Sequence, residues 1–408
     1  MLRRGVDANG AGARGGMIYL DYQATTPLAP EAKAAMLPWL DKPGNPHSPH
    51  RAGREAKAAV EAARERVTTL LPPGGRVVFT SGATESLNWA IKGAPPGDIV
   101  TVATEHAAVL DTVEALAWGG RRVTVLPVGP DGLVDRGAAL GAIVPGVALV
   151  AVMLVNNEIG VIQPVEWLAE LAHAAGALLL CDAVQGYGRV PIPKACDLVA
   201  ISAHKIHGPK GIGALWLCDG ALPAPLLHGG GQEGGRSGTL SPMLCAGFGA
   251  AAAAVRIDAD RAHVERLAGI ARAAVAAGGW VLNGAADPRW PGNLNIRREG
   301  VDAARLISEV REVAFSAGSA CASGSGRPSH VLKAIGLSDA EARSSIRLGF
   351  GRYTTEDDLT ARSRSSPRRR TASGHGHEGP LRLARRAGGA RGGRARGRAP
   401  AGCRASGG

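Results

Sequence analysis

Between residues 17 and 255, short apolar runs alternate with longer segments of helical pattern. The apolar runs lie at residues 76–80, 98–103, 122–127, 148–154, 177–181 and 198–202. Their apolar residues do not alternate with polar ones, so both faces of each predicted strand should be buried. Helical patterns lie between the runs, for example at residues 49–71, 107–119 and 165–176. This order predicts an α/β domain with a mostly parallel sheet covered on both faces.

The pattern changes near residue 256, where a long Ala-rich helix is predicted up to about residue 277. Strand-like runs at 279–282 and 293–296 and a helix at 302–311 follow it, which predicts a smaller α+β domain. We therefore divide the chain into four parts. These are a flexible leader at 1–16, a large domain at 17–255 whose first residues are candidates to pack on the small domain, the small domain at 256–360, and a disordered tail at 361–408.

The net charge of +12 comes from 47 Lys and Arg against 35 Asp and Glu, and it is concentrated in the tail. Residues 361–408 contain 13 Arg, no Lys and one acid, Glu378, so the first 360 residues hold 34 basic and 34 acidic side chains. The body is formally neutral, and its charge does not indicate nucleic-acid binding. Only the Arg-rich tail is a candidate for contact with a polyanion.

The six cysteines are scattered, with no CxxC pair, which argues against a structural zinc site and a disulfide framework. Residues 1–16 lack the apolar segment of a secretory signal, and no run of about 18 apolar residues predicts a membrane span. A flexible leader, an upstream start codon with Met17 as the first residue, or an organellar transit peptide would each account for these residues. We expect a cytoplasmic protein that does not contact membranes.

Two side chains at the ends of neighbouring predicted strands indicate the chemistry. Lys205 follows the strand at 198–202, where partial desolvation favours the neutral amine that Schiff-base chemistry needs. Asp182 ends the strand at 177–181, where a carboxylate can keep the pyridine nitrogen of pyridoxal phosphate protonated. Considered alone, Lys205 would be interpreted as a surface lysine and Asp182 as a helix cap. Lys210, in the same turn, is an alternative candidate for the reactive lysine.

A phosphate site is predicted at TSGATES, residues 80–86, where a strand ends and small polar residues open a helix. The free N–H groups and the dipole of that helix favour an anion, although an ordinary helix cap has the same pattern. RSGT at 236–239, in a Gly-rich loop with His228, is a second candidate phosphate clamp.

Three further residues are candidates from their surroundings. His106 follows the strand at 98–103 and could stack on a cofactor ring or carry a proton. Cys321 lies in a Gly/Ser/Ala loop with few side chains to pack, so its thiol is expected to be exposed and mobile. Arg347 is a candidate clamp for a substrate carboxylate. The alternative interpretations are that His106 is a structural histidine and that Arg347 is a surface arginine.

Together these motifs resemble the cysteine desulfurases, a group of class V aminotransferases among the fold-type I pyridoxal phosphate enzymes. The resemblance covers residues 17–360 and rests on collinear segments at 20–27, 44–46, 81–85, 104–106, 155–160, 182–185, 204–211, 236–239, 318–321 and 344–347. It implies a large domain with a mostly parallel sheet, a small α+β domain and a homodimer.

The resemblance assigns roles to individual residues of this chain. It implies that Lys205 bonds to the cofactor and moves the Cα proton, while Asp182 pairs with the ring nitrogen, Gln185 with the ring hydroxyl, and His106 stacks on the ring. The phosphate would be held by Ala83, Thr84, Ser202 and His204, with Thr239 reaching across the dimer interface. Asn157, which also lies beside the cofactor, would bind the substrate carboxylate together with Arg347 and Asn45.

The implied reaction converts L-cysteine to L-alanine. Cys321 would attack the substrate's sulfur and carry it as a persulfide to an iron–sulfur scaffold protein or a tRNA-thiolation carrier. No metal site is expected, although Cys321 could share a cluster transiently with the scaffold. A selenocysteine lyase and a nitrogenase-dedicated sulfur donor have the same motifs, and an inactive paralogue or scaffold with a polyanion-binding tail is the alternative from another class.

The sequence departs from the family pattern in two places. Residues 228–236 are one residue shorter than usual, which affects the register of Thr239. Beyond residue 359 the Arg-rich tail stands where the family has a last amphipathic helix. A reading-frame shift in a GC-rich gene would produce such a tail.

Overall fold

The computed structural model describes residues 17–318 and 328–360, and its largest element is a seven-stranded sheet. The strands are β1 Ile18–Tyr19, β2 Gly75–Thr80, β3 Asp98–Val102, β4 Val123–Leu126, β5 Val147–Met153, β6 Leu178–Asp182, β7 Leu198–Ser202, β8 Gly213–Cys218, β9 Val281–Leu282, β10 Asn293–Arg297, β11 Val313–Ala314, β12 Ser316–Ala317 and β13 Ser345–Gly349. The α-helices are α1 Pro30–Met36, α2 Arg51–Thr68, α3 Ala83–Lys92, α4 Ala107–Trp118, α5 Arg136–Ala142, α6 Val165–Ala174, α7 Pro242–Ala253, α8 Ile257–Ala277, α9 Ala303–Glu309, α10 His330–Ala334, α11 Asp339–Arg343 and α12 Glu356–Thr360. Short 3-10 turns cover Leu37–Trp39 and Ala203–Lys205.

The large sheet has the strand order β2-β8-β7-β6-β5-β3-β4, and within it only β8 runs antiparallel to its neighbours. The predicted α/β class is confirmed. The sequence analysis did not identify β8, which follows β7 after a short connection. A strand parallel to β7 would need a crossover connection of about a dozen or more residues. This connection is shorter, so the chain forms an antiparallel strand beside β7.

Both faces of the central strands are buried, as their sequence predicts. Val199 and Ile201 of β7 belong to one hydrophobic cluster, whereas Leu198 and Ala200 belong to another that includes residues of α3 and α4. Strand β4 differs because it lies at the sheet edge, where Val125 is 48% exposed. The expectation of two buried faces is therefore wrong for this strand.

A second, antiparallel sheet has the order β12-β13-β10-β9. The first strand, β1, pairs in parallel with β11, so the start of the described chain lies beside a segment of the 256–360 region. Helix α12 packs on α8 and buries Leu359. The proposed division at residue 256 falls one residue before α8 begins.

Within residues 17–318 and 328–360, no single helix has both the length and the apolar composition to cross a membrane. Helices α7 and α8 meet those two criteria only when they are counted together across a bend of 73°.

Candidate active site

A cavity of about 690 Å³ opens where β5, β6 and β7 end. Because parallel strands end at the same edge of a sheet, the last residues of these three strands, Met153, Asp182 and Ser202, all line it. Ten of the residues predicted from the sequence line this one cavity: Ala83, Thr84, His106, Asn157, Asp182, Gln185, Ser202, His204, Lys205 and Arg347. The fold therefore gathers residues that are as many as 264 positions apart in the chain.

One wall of the cavity is the N-terminus of α3. Gly82 precedes this helix in extended conformation, and no side chain caps the helix. The side chain of Glu85 instead accepts from Ser81 N at 2.7 Å and from Arg236 Nε at 2.8 Å. Burial alone would raise the pKa of Glu85, but these hydrogen bonds outweigh it and lower the pKa. The first N–H groups of α3 thus remain available to an anion in the cavity.

Lys205 lies in the 3-10 turn that directly follows β7. Its Nζ donates to the main-chain oxygens of Gln23 at 2.5 Å and Ala24 at 2.8 Å. Both acceptors are neutral carbonyl oxygens, and they hold the amine in place. Lys210, the competing candidate, also lines the cavity but is exposed.

The carboxylate of Asp182 is 5% exposed, and its Oδ1 accepts from Val184 N at 3.0 Å. Burial raises the pKa of Asp182, while the Val184 hydrogen bond and the nearby His106 and Lys205 oppose the rise. A carboxylate with a raised pKa is a stronger base, so it accepts a stronger hydrogen bond from a protonated ring nitrogen. Asp182 is therefore well suited to pair with a cationic ring.

His106 caps α4, because its Nδ1 accepts from Ala108 N at 3.0 Å. That hydrogen bond leaves the proton of the neutral ring on Nε2. The preceding residue, Glu105, is fully buried, and its Oε1 accepts from Met153 N at 2.7 Å. Burial first and the nearby Asp182 second raise the pKa of Glu105 well above its usual value.

His204 faces the N-terminal segment of the described chain, where its Nδ1 lies 3.2 Å from Thr25 Oγ1. Burial and the nearby positive charges of Lys205 and Lys210 lower its pKa to about 4. His204 is therefore neutral at physiological pH and can donate a hydrogen bond to a phosphate.

Arg347, on β13, is 1% exposed and held by three acceptors. It donates to Asn157 O at 3.0 Å, to Asp21 Oδ1 at 2.7 Å and to Ser316 Oγ at 3.3 Å. Its Nε has no hydrogen-bond partner among the described residues. This guanidinium lines the cavity and can serve a carboxylate there.

Two predicted residues, Asn45 and Thr239, do not line the cavity in the described chain, and a third, Cys321, is not among the described residues. Asn45 is exposed, and its Oδ1 accepts from His47 N at 2.9 Å. Thr239 is exposed and does not line the cavity of this chain. Cys321 and its loop lie outside the described residues. The roles predicted for all three stay predictions.

The sequence analysis assigned no role to Asp21, Gln23 or Thr25, although it quoted the segment 20–27 that contains them. Thr25 lines the cavity, and the main-chain oxygen of Gln23 accepts both from Lys205 and from Gln185 Nε2, the latter at 2.9 Å. The sequence signal that could have identified these residues is a run of polar residues directly after a short apolar segment.

Comparisons with known proteins agree with these motifs. The family described as aminotransferase class-V matches residues 18–361. The chain is 44% identical over 363 residues to the protein named cysteine desulfurase IscS of Rickettsia akari, covering 84% of this chain and 88% of the relative. It is also 44% identical over 360 residues to the mitochondrial cysteine desulfurase of Saccharomyces cerevisiae, covering 84% and 72%.

Solved structures are similar in fold. A NifS-like protein from Rickettsia africae superposes with a TM-score of 0.77 at 30% identity, covering 84% of this chain and 96% of that one. A structure titled SspA in complex with cysteine gives a TM-score of 0.74 at 34% identity, covering 83% and 99%. The predicted fold and the resemblance stated from the motifs are both confirmed.

Proposed function

The chain belongs to the class-V aminotransferase family and is a cysteine desulfurase, and we propose that it binds pyridoxal phosphate in the cavity described above, with Lys205 as the residue bonded to it. The observation that carries this proposal is the meeting of Lys205, Asp182 and the uncapped N-terminus of α3 in one cavity. An amine, a ring-nitrogen partner and a phosphate site are the three features that this cofactor requires.

The residues of the cavity fit the cofactor at both ends. The phosphate would be held by Ala83, Thr84, Ser202 and His204, and the ring by Asp182, Gln185, His106 and Asn157. In the homodimer we propose, Thr239 of one subunit would reach the phosphate site of the other. When bound, pyridoxal phosphate supplies an electron sink for the bonds at the substrate's Cα.

The chain's own residues bind and orient the substrate. Arg347 takes the carboxylate of L-cysteine, helped by Asn157 and Asn45, which fixes the direction of the Cα–H bond. The Lys205 amine, already held by two neutral carbonyl oxygens, takes and returns the Cα proton. His106, whose Nε2 carries the ring proton, is positioned to donate it.

Cys321 completes the reaction by accepting sulfur. Its thiolate bonds to the substrate's sulfur, the Cβ–S bond breaks, and the proton of the substrate thiol ends on the carbon that becomes the methyl group of alanine. The enzyme then carries a persulfide, and no external oxidant or reductant is consumed. We propose that this sulfur passes to an iron–sulfur scaffold protein or another sulfur acceptor in the cytoplasm.

The proposal is tested with the purified full-length chain. Titration with L-cysteine under a thiol reductant should release sulfide and alanine in equal amounts, and the protein should have a visible absorbance band from the bound cofactor. Cys321→Ala should keep the band and lose sulfide release, with Cys218→Ala, a half-buried cysteine on β8, as the matched control. Sulfide release by Cys321→Ala at the normal rate would refute the assigned acceptor.

A further inference from the structure

Arg189 is a partly buried arginine that connects the two loops carrying Gln185 and Lys205. Its Nη1 donates to the side-chain Oε1 of Gln185 at 2.6 Å and to the main-chain oxygen of Gln185 at 3.1 Å. Its Nη2 donates to the main-chain oxygen of Lys205 at 2.8 Å. The guanidinium also lies over the ring of Trp290, 5.9 Å from the centroid. Arg189 is not among the residues that line the large cavity, so it acts from behind it.

In the part of the chain that the structure describes, Arg189 forms no ion pair with a carboxylate. The acid of the small cavity behind it, Asp260, is paired with Arg352 at 2.6 Å. The titratable and charged groups around the guanidinium are Tyr22, His204, Lys205, His207 and the Arg352–Asp260 pair. A partly buried cation with neutral acceptors alone is costly, so its placement here calls for a reason beyond packing.

The contacts of Gln185 supply that reason. An amide has one acceptor oxygen and one NH₂ donor group, and Arg189 occupies the oxygen. One hydrogen of Nε2 is taken by Gln23 O at 2.9 Å. The amide cannot flip without aiming its NH₂ at the guanidinium, so the remaining N–H is fixed as a donor on the cavity side.

We propose that Arg189 is a positioning residue for the proposed pyridoxal phosphate chemistry: it fixes the Gln185 amide as a donor toward the cofactor ring and holds the Lys205 main chain beside it. This inference rests on the proposed function. The positive charge of Arg189, which lies behind Lys205 and Gln185, also disfavours any further positive charge on the cofactor's linkage to Lys205.

The test compares Arg189→Met, which removes charge and donors at similar volume, with Arg189→Lys, which keeps a charge and a donor. In Arg189→Met, we expect the pH midpoint of the cofactor's visible band to move upward by about one unit, since a nearby positive charge is lost. Affinity for added pyridoxal phosphate should fall about tenfold, and kcat should fall while KM for L-cysteine changes little. Arg189→Lys should restore the midpoint.

Arg289→Met is the matched control. Arg289 is buried and donates to two main-chain oxygens, of Ile159 and Asn283, but it does not line the large cavity. This variant should lose stability without moving the midpoint. If Arg189→Met does not fold, Arg189→Gln, which keeps a donor but no charge, takes its place with the same expected midpoint shift.

A folded Arg189→Met or Arg189→Gln with the wild-type midpoint overturns the inference, and so does a failure of Arg189→Lys to restore it. The wild-type protein separates the two proposals. If it has no visible band and releases no sulfide, the proposed function fails. If the wild-type protein has the band and releases sulfide, but the Arg189 variants do not differ from it, only the positioning role fails.

Discussion

Arg347 and Asp21, 326 residues apart in the chain, form an ion pair of 2.7 Å at the wall of the cavity. The side chain of Arg347 is 1% exposed and that of Asp21 is 18% exposed, so the acid partly neutralises a cation that is almost wholly buried. Asp21 follows β1 and Arg347 lies on β13, and a bridge between Asp21 and Gly349 holds these segments together. The proposed substrate clamp is therefore assembled from both ends of the described chain.

The first prediction concerns Asp21→Asn. This change keeps the shape of the side chain but leaves the buried guanidinium without its counter-charge, so the free energy of unfolding should fall by about 2 kcal/mol. Denaturant unfolding at fixed protein concentration measures it. Asp41→Asn, at an exposed acid, is the control and should change stability little. Equal stability of Asp21→Asn and wild type would mean that the pair contributes nothing.

The second prediction concerns Arg347→Lys. A lysine keeps the positive charge but cannot hold Asn157 O, Asp21 and a substrate carboxylate in one planar arrangement. KM for L-cysteine should rise by about 10- to 100-fold, which corresponds to about 1.4–2.8 kcal/mol of binding energy. Steady-state kinetics measures KM, and the cofactor's visible band should be unchanged. Arg266→Lys, at an exposed arginine, should leave KM as it is; an unchanged KM in Arg347→Lys would exclude it as the clamp.

Much of this site could be predicted because its signals are local. Asp182 ends one buried strand and Lys205 follows another, and apolar runs with flanking polar residues identify such positions without any knowledge of the fold. Asp21, Gln23 and Arg189 could not be identified this way. Their functions arise from contacts with Arg347, Lys205 and Gln185 that form only when β1 joins β11 and the ends of β6 and β7 meet.

The same reasoning explains the errors in the predicted fold. Strand β8 has an apolar sequence like its neighbours, but only a short 3-10 turn, and no α-helix, separates it from β7. Edge strand β4 is apolar in sequence and yet half-exposed, because its exposure depends on sheet order, which local pattern does not determine.

The third prediction concerns pH and His207. Burial lowers the pKa of His207 to about 4 from 6.5, so between these pH values the unfolded chain binds a proton that the folded chain does not. Stability should therefore fall as pH falls through this window, by about 1.4 kcal/mol per pH unit for this histidine. His207 has a φ of 70°, a conformation that asparagine tolerates well.

In His207→Asn the titrating ring is absent, so the pH dependence of the unfolding free energy between pH 6.5 and 4 should be shallower by that amount. Stability at pH 7 should also drop, since the ring contact with Tyr353, at 4.8 Å between centroids, is lost. His47→Asn, at an exposed histidine, should leave the slope unchanged. A slope equal to that of wild type in His207→Asn would contradict the prediction.

The fourth prediction concerns Glu158, a buried carboxyl that accepts from Ser329 Oγ at 2.5 Å. Burial raises its pKa to about 7, against the opposing effects of Ser329, Arg347 and His106. Because this pKa is raised, ionisation of Glu158 destabilises the folded state as the pH rises from 4.5 through 7. Glu158→Gln keeps an acceptor for Ser329 and removes this cost, so it should gain about 3 kcal/mol of stability at pH 8.

The gain should shrink to about 0.4 kcal/mol near pH 4.5, where the wild-type carboxyl is neutral in the folded state and half-protonated in the unfolded state. Unfolding free energies at the two pH values measure it, with Glu114→Gln, at an exposed acid on α4, as the control without a pH-dependent gain. If Glu158→Gln is less stable than wild type at pH 8, the carboxylate is stabilised there by Arg347 more than burial opposes it. The proposed clamp would then depend on Glu158 as well as Asp21 for its counter-charge.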